Sequence, residues 1–256
     1  MEGKIGSRFI DKNQKKGDYV AWQLPVARLL RMGDSMKKYG YVSGYSRPSH
    51  LDQQSRILNY CFPHLATYDA SLEGVCNAAY AEGKLLLPYW GALGPTYNDA
   101  LQAALSMLAQ VRRRGEFLNL RPNEMGANVL RQTDAKMAAI DKLRRKQPDQ
   151  DFLLIDGQLG QRFPHTTRYS AETVLCENEF LFGAFEVAIF ILTHPERMDD
   201  FRDMSLECAG DECRLALEGP WEDIPFFQFD GQLNFNMTSQ HVAHPEGSIA
   251  SGFLPR

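Results

Sequence analysis

Several features that would narrow the function of this 256-residue chain are missing from its sequence. It contains no Gly-rich phosphate-binding loop, no G-x-G-x-x-G turn and no G-x-S-x-G nucleophile motif. No apolar run is long enough to span a bilayer, and the first residues lack the apolar segment of a signal peptide. The sequence therefore gives no direct sign of nucleotide, α/β-hydrolase or membrane function, and a cytoplasmic location is expected.

Strong charge of one sign is also absent. The 28 Lys and Arg residues against 32 Asp and Glu residues give a formal net charge of −4, which does not attract nucleic acid as a whole. Two basic clusters, at 112–114 and 144–146, fall at the carboxyl ends of predicted helices, where cations interact favourably with the last carbonyls. Nucleic acid is therefore not expected as a direct ligand.

Cysteine is too scarce and too scattered for a disulfide framework. The chain has five cysteines, an odd number, without a regular spacing. This usage favours a reducing compartment.

The most apolar stretch, 170–194, predicts a long buried central helix. Glu172, Glu179 and Glu186 recur every seven residues and form one polar stripe, and from Phe180 onward most other positions are apolar. A helix that is apolar around most of its circumference belongs in a protein core. Glu186 interrupts the apolar part, which argues against a membrane span.

The N-terminal half is predicted to be predominantly helical. A flexible basic arm is expected at 1–17, followed by a helical region at 18–147. Its two longest helices, at 97–114 and 122–146, are expected to form an antiparallel hairpin because the connection between them is short.

The C-terminal half is predicted to combine the central helix with short antiparallel β-hairpins. The sequence DGQL occurs twice, at 156–159 and 230–233, and Asp-Gly favours a tight hairpin turn at each. An α+β region at 148–238, continuous with the helical region or separate from it, and an extended tail at 239–256 complete an α+β fold. Whether the two DGQL hairpins are a true repeat stays open.

Acidic residues of the central helix are the candidates for catalysis. Glu179 and Glu186, with His194 at the end of the helix, could form an acidic site with help from other elements. Carboxylates one heptad apart are separated by about 10 Å along a helix, too far to share a proton. The alternative function that follows is a metal-assisted hydrolase or nuclease.

Cysteines and histidines near the carboxyl end allow a zinc site as a weaker alternative. Cys208 and Cys213 bracket a predicted turn, and His241 and His244 form an H-x-x-H pair. Thiolate and imidazole suit tetrahedral zinc, but the histidine spacing is shorter than usual. No cofactor is therefore predicted.

Two segments of a type that partner proteins bind favour a non-catalytic function. An uncharged aromatic hairpin and an apolar C-terminal handle are elements that partners bind. The residues concerned are Phe227, Phe229, Phe235, Phe253 and Leu254. The leading hypothesis is an interaction subunit of a microbial (bacterial or phage) multi-protein complex, or an inhibitor or immunity-type protein. Its partner would be another protein chain, in a hetero- or homo-oligomer.

Overall fold

The computed structural model describes residues 41, 43–66, 68, 78–112, 116–216 and 218–255. All of them belong to one compact unit, Tyr39–Arg256. The arm predicted at 1–17 lies outside the described residues.

Within these residues, short helices are interspersed with strands from one end to the other. The α-helices are α1 (Leu51–Cys61), α2 (Tyr97–Val111), α3 (Asp134–Lys146), α4 (Arg168–Glu172) and α5 (Ala184–Thr193), with 3₁₀ turns at Trp90–Ala92 and Pro195–Met198. Thr96 and Thr133 begin α2 and α3 by accepting hydrogen bonds from the backbone N–H groups of Asp99 and Lys136.

The strands join in one mixed sheet. They are β1 (Gly83–Pro88), β2 (Phe117–Asn119), β3 (Leu130–Gln132), β4 (Phe152–Pro164), β5 (Glu179–Leu181), β6 (Ser205–Glu207), β7 (Asp211–Cys213), β8 (Asp223–Phe229), β9 (Leu233–Ser239) and β10 (Gly247–Phe253). The order is β1-β4-β10-β6-β8-β7-β3, with β5 on β10, β9 on β8 and β2 on β9. The β10–β6 and β2–β9 pairs are parallel, and the other pairs are antiparallel.

The predicted division into a helical half and an α+β half is wrong. Strand β1, from the N-terminal half, pairs with β4 along its whole length. The apolar run Leu85–Leu87 is bounded by Gly83 and Pro88, and a short bounded run of this kind forms a buried strand. The expected helix at 122–146 begins only at Asp134, because β3 precedes it.

The predicted long helix at 170–194 is also wrong. The segment contains α4, a loop, the short strand β5 and then α5. Glu172, Glu179 and Glu186 consequently lie in three different elements, and their seven-residue spacing does not mark one helical face. The stretch around Glu179 pairs with β10 instead of continuing a helix, which is a tertiary contact that local periodicity does not reveal.

The two DGQL sequences adopt different structures. The first lies inside the continuous 13-residue strand β4, which β1 and β10 flank. The second forms the β8–β9 turn, in which Gly231 has a φ of 72° that favours glycine. Only the second hairpin prediction is therefore confirmed, and its register pairs Phe227 with Phe235.

Two buried elements form the centre of the fold. Residues 239–256 were expected as an extended tail, and Gly247–Phe253 form the central strand β10, in which all seven residues are buried. All ten residues of α5 are also buried. Helices α1 and α2 and strand β1 pack against α5.

Candidate functional site

An open apolar groove lies where α1, α2 and the carboxyl end of α5 meet. Its volume is about 390 Å³. The lining residues are Arg56, Ile57, Tyr60, Cys61, Leu108, Val111, Arg112, Ile191, Leu192 and Pro195. The groove is therefore formed almost entirely by apolar side chains, and its two charged residues are both arginines.

Two large apolar side chains at this groove are exposed to solvent. Tyr60 is 81% exposed and Val111 is 45% exposed, although they adjoin the buried floor residues Leu108 and Ile191. Helix α1 turns Leu58 and Cys61 towards the core, which leaves Tyr60 on its outer side. Apolar surface next to an apolar depression is typical of binding sites.

The hydrogen-bond partners of Arg112 lie on the chain itself, whereas Arg56 extends into solvent. Arg112 donates to Asp199 Oδ1 at 3.1 Å and to the carbonyl of Pro195 at 3.0 Å, so it is held in place. Its buried Nε has no hydrogen-bond partner among the described residues. Arg56 is exposed. Burial raises the pKa of the Cys61 thiol, which makes a reactive thiolate unfavourable there.

A second feature, the buried charge cluster, surrounds the amino end of α5. It consists of Tyr97, Lys136, Glu186 and Asp211, from α2, α3, α5 and β7. Lys136 Nζ lies 2.6 Å from Glu186 Oε2 and 2.9 Å from Asp211 Oδ1. The side chains of these three charged residues are at most 1% exposed. The cluster is therefore sealed from solvent.

The cluster satisfies the first backbone N–H groups of α5. Gly183 N–H donates to Glu186 Oε2, Ala184 N–H to Asp211 Oδ2, and Phe185 N–H to the Tyr97 hydroxyl. The Tyr97 hydroxyl in turn donates to Asp211 Oδ2 at 2.6 Å. These bonds replace the intrahelical partners that the start of any helix lacks.

Burial and neighbouring charges together shift the pKa values in this cluster. Burial raises the pKa of Glu186, and the negative charge of Asp211 acts in the same direction, against the opposing effect of Lys136. For Lys136, burial alone lowers the pKa, but the nearby Asp211 and Glu186 outweigh it and the net direction is upward. Lys136 is therefore held as an ammonium between the two acids, and Glu186 is an acid whose pKa burial raises.

Replacing Gly183 by alanine tests how closely the cluster is packed. A methyl group there would collide with Lys136 Nζ and Asp211 Oδ1. We expect Gly183→Ala to lower the free energy of unfolding by about 1–3 kcal/mol in a urea titration. At Gly219 the same methyl meets no atom closer than 3.1 Å, so Gly219→Ala serves as the control. Equal stability of the two variants would contradict the packing described here.

A larger cavity, of about 560 Å³, lies beside the cluster. Tyr97, Thr133 and Ala135 line it next to the cluster. Its outer part contains an ion-pair chain in which Glu212 binds both Arg131, at 2.8 Å, and Arg168, at 3.2 Å. Arg168 also binds Glu172 at 2.9 Å, so the two arginines are matched by two acids and leave no uncompensated positive charge.

The predicted catalytic residues are not brought together. Glu186 belongs to the buried charge cluster, whereas Glu179 pairs with Arg162 at 2.9 Å and accepts a hydrogen bond from Ser251. His194 follows Glu186 by eight residues, about 12 Å along α5. Its Nε2 accepts the backbone N–H of Ser49, and burial lowers its pKa to about 4. His194 is therefore a neutral structural residue at physiological pH.

The predicted zinc ligands do not converge either. Cys208 and Cys213 are buried, and burial raises the pKa of both thiols. His244 Nε2 lies 3.0 Å from the hydroxyl of Thr238, and His241 is exposed. Among the residues that the structure describes, no three His, Cys, Asp or Glu side chains are grouped to hold a metal ion.

Four of the five predicted partner-binding residues lie in the chain's own core. Phe227 and Phe235 are fully buried and pack against each other, with ring centroids 4.9 Å apart. Phe253 and Leu254 are also buried, and Phe229 is half-buried.

Sequence reasoning overlooked Lys136, Asp211 and Tyr97. One signal was available for Lys136, because it shares the three-to-four-residue spacing of Ala139, Ile140 and Leu143 on the buried face of α3. A lysine in an apolar helical stripe is rarely buried unless it is paired. Its partners could not be named, since Asp211 is 75 residues away.

Comparisons with known proteins give no family for this chain. No protein-family model, no curated protein and no solved structure matches it. Within its described part, none of the helices has the length and apolar character needed to cross a bilayer.

Proposed function

We propose that the protein is a non-catalytic, partner-binding component of a microbial multi-protein assembly, and that its groove holds an amphipathic, acidic helix of a second protein. The observation that carries this proposal is the exposure of Tyr60 and Val111 beside an apolar floor. Tyrosine at the rim of such a depression is a frequent energetic centre of protein interfaces.

The shape and chemistry of the groove support a helix as the occupant. Three helices form its walls and floor, and the floor is aliphatic. An amphipathic helix fills a depression of this kind with apolar side chains spaced three or four residues apart. Arg112 already pairs with Asp199, so Arg56 is the arginine at the groove that favours an acidic side chain on the polar face of that helix.

Charge also argues against the chain's own N-terminal segment as the occupant. Residues 1–40 contain nine Lys and Arg but only four Asp and Glu. A basic segment is a poor match for a groove whose lining charges are both arginines. A separate acidic partner meets this requirement better.

A cytoplasmic location is part of the proposal. Cys61, Cys176, Cys208 and Cys213 are all unpaired, as expected of a protein in a reducing compartment.

Selection from a display library of helical peptides tests the proposed site. Peptides that bind the wild type are expected to carry an apolar stripe with acidic flanks. Their affinity for Tyr60→Asp is expected to be at least about tenfold lower, which is about 1.4 kcal/mol of binding free energy. The reason is that an aspartate would repel the acidic peptide and remove the aromatic contact. The matched control is Tyr169→Asp, because Tyr169 is 74% exposed and lies outside the groove.

Two results would contradict the proposal. One is a failure to enrich any peptide family on the folded wild type. The other is enrichment of peptides that bind the wild type, Tyr60→Asp and Tyr169→Asp equally.

A further inference from the structure

We propose that Lys136 and Asp211 condense into an intramolecular amide bond, with Glu186 as the proton carrier. This modification site is separate from the groove and does not depend on the proposed function. It joins α3 to β7, whose linked residues are 75 positions apart in the chain.

The reacting atoms already lie in contact. Lys136 Nζ is 2.9 Å from Asp211 Oδ1, so the carboxyl carbon is one bond beyond the contacting atom. Gly183 packs directly against both groups, since even a methyl group at that position would collide with them. Fixing a nucleophile against its target in this way supplies the effective concentration that an unassisted condensation lacks.

Asp211 is polarised for attack by two donors on its other oxygen. The Tyr97 hydroxyl donates to Oδ2 at 2.6 Å and Ala184 N–H donates to it at 2.7 Å. Both can stabilise the negative charge that develops on Oδ2 when nitrogen adds to the carboxyl carbon. Ala184 is also the first residue of α5, where the helix dipole favours negative charge.

Glu186 has the position of a proton carrier. Its Oε2 lies 2.6 Å from Lys136 Nζ. That same oxygen accepts the Gly183 N–H, whereas Asp211 Oδ2 accepts two donors, the Tyr97 hydroxyl and Ala184 N–H. Burial raises the pKa of Glu186, which suits a carboxyl group that accepts and returns a proton. Asp211 is therefore the acylating partner and Glu186 the acid–base group.

The reaction balances without any co-reactant. The Lys136 ammonium gives one proton to Glu186, which passes it to Asp211 Oδ1, and the neutral amine then adds to the carbon of the resulting carboxylic acid. The bond from that carbon to Oδ1 then breaks. Two of the three ammonium protons leave with Oδ1 as water, one of them through Glu186, and the third stays on the amide nitrogen. The positive and negative charges of the pair cancel.

Exclusion of solvent favours the amide once it has formed. The side chains of the ion pair are at most 1% exposed, and buried charges are costlier to keep from water than a neutral amide. The released water has a nearby exit, because Tyr97, Thr133 and Ala135 border the 560 Å³ cavity beside the cluster.

The mass of the folded, purified wild type after prolonged incubation tests the proposal. We expect a mass lower than that of the sequence by one water molecule after denaturation. Trypsin is then expected to release residues 132–142 joined to residues 203–214, because an acylated Lys136 is no longer cleaved. Glu186→Gln should retain the full mass. In Asp211→Asn the same attack releases ammonia in place of water, so the mass lost relative to the sequence is one mass unit smaller.

Other outcomes overturn the proposal. If the folded wild type keeps its full mass, Lys136 and Asp211 form an ordinary buried ion pair. A water loss that maps to Asp156-Gly157 or Asp230-Gly231 is backbone imide formation. A cross-link between Lys136 and Glu186 would contradict the assignment of Asp211 as the acylating partner.

Discussion

Replacing Lys136 by methionine is expected to lower the free energy of unfolding by at least about 3–5 kcal/mol. The methionine fills much of the same space, but it leaves Asp211 and Glu186 buried without their cation. Breaking a buried ion pair from one side costs far more than the pair itself contributes, because the remaining charge is uncompensated. The proposed amide would add to this loss. Urea denaturation followed by circular dichroism gives the measurement.

A lysine on the same helix provides the control. Lys142 is exposed, so Lys142→Met is expected to change stability by less than about 0.5 kcal/mol. The double variant Lys136→Met with Glu186→Gln should lose less than the sum of the single changes, because it removes both members of one network. Additive losses in the double variant would show that Lys136 and Glu186 do not act together.

Glu207 is expected to make the fold less stable as pH rises. Its side chain is 2% exposed, and its Oε1 has no hydrogen-bond partner among the described residues. The residues around it are Phe226 on β8, Ile249 and Gly247 on β10, and the nearby His244. Burial raises the pKa of Glu207 to about 8.

The direction follows from proton binding. Below pH 4.5, the ordinary pKa of a glutamic acid, both folded and unfolded chains hold the proton. Between there and about pH 8 the unfolded chain releases it while the folded chain keeps it, so stability falls by up to about 1.4 kcal/mol per pH unit. Over the whole window the loss reaches roughly 4–5 kcal/mol. Above about pH 8 both the folded and the unfolded chain have released the proton, so Glu207 no longer changes the stability with pH.

Glu207→Gln is expected to remove this slope. The amide cannot ionise, so the variant should be more stable than the wild type at pH 9 and close to it at pH 4.5. Thermal unfolding between pH 4 and 9 gives the comparison, with exposed Glu246→Gln as the control. If Glu207→Gln and Glu246→Gln showed the same pH profile, the carboxyl of Glu207 would not be protonated in the folded chain.

Local elements of this protein can be predicted from its sequence better than the strand pairing of its sheet. The helix beginning near Tyr97 and the β8–β9 hairpin follow from apolar spacing and from Asp230-Gly231, since neighbouring residues determine both. Strand β4 shows where prediction from the local sequence fails. Its Asp156-Gly157 favours a turn locally, but pairing with β1 on one side and β10 on the other keeps the chain extended.

Candidate sites depend even more on distant contacts. The apolar run around Glu186 marks it as an unusual acid, but the groups that surround it come from α2, α3 and β7. The groove has the same origin, because Tyr60 and Val111 become one surface only when α1 and α2 pack beside α5. Helix α5 connects the two features, since its amino end lies in the buried charge cluster and Ile191 and Leu192 near its carboxyl end line the groove.

A photo-crosslinking amino acid at position 60, introduced in the cells that produce the protein, tests the central claim most directly. The same residue at position 169 is the control, as Tyr169 is exposed outside the groove. The account predicts a crosslink from position 60, absent from position 169, that maps to an amphipathic acidic segment of a second polypeptide. Equal crosslinking from both positions, none from position 60, or a crosslink from position 60 to this same chain would contradict it.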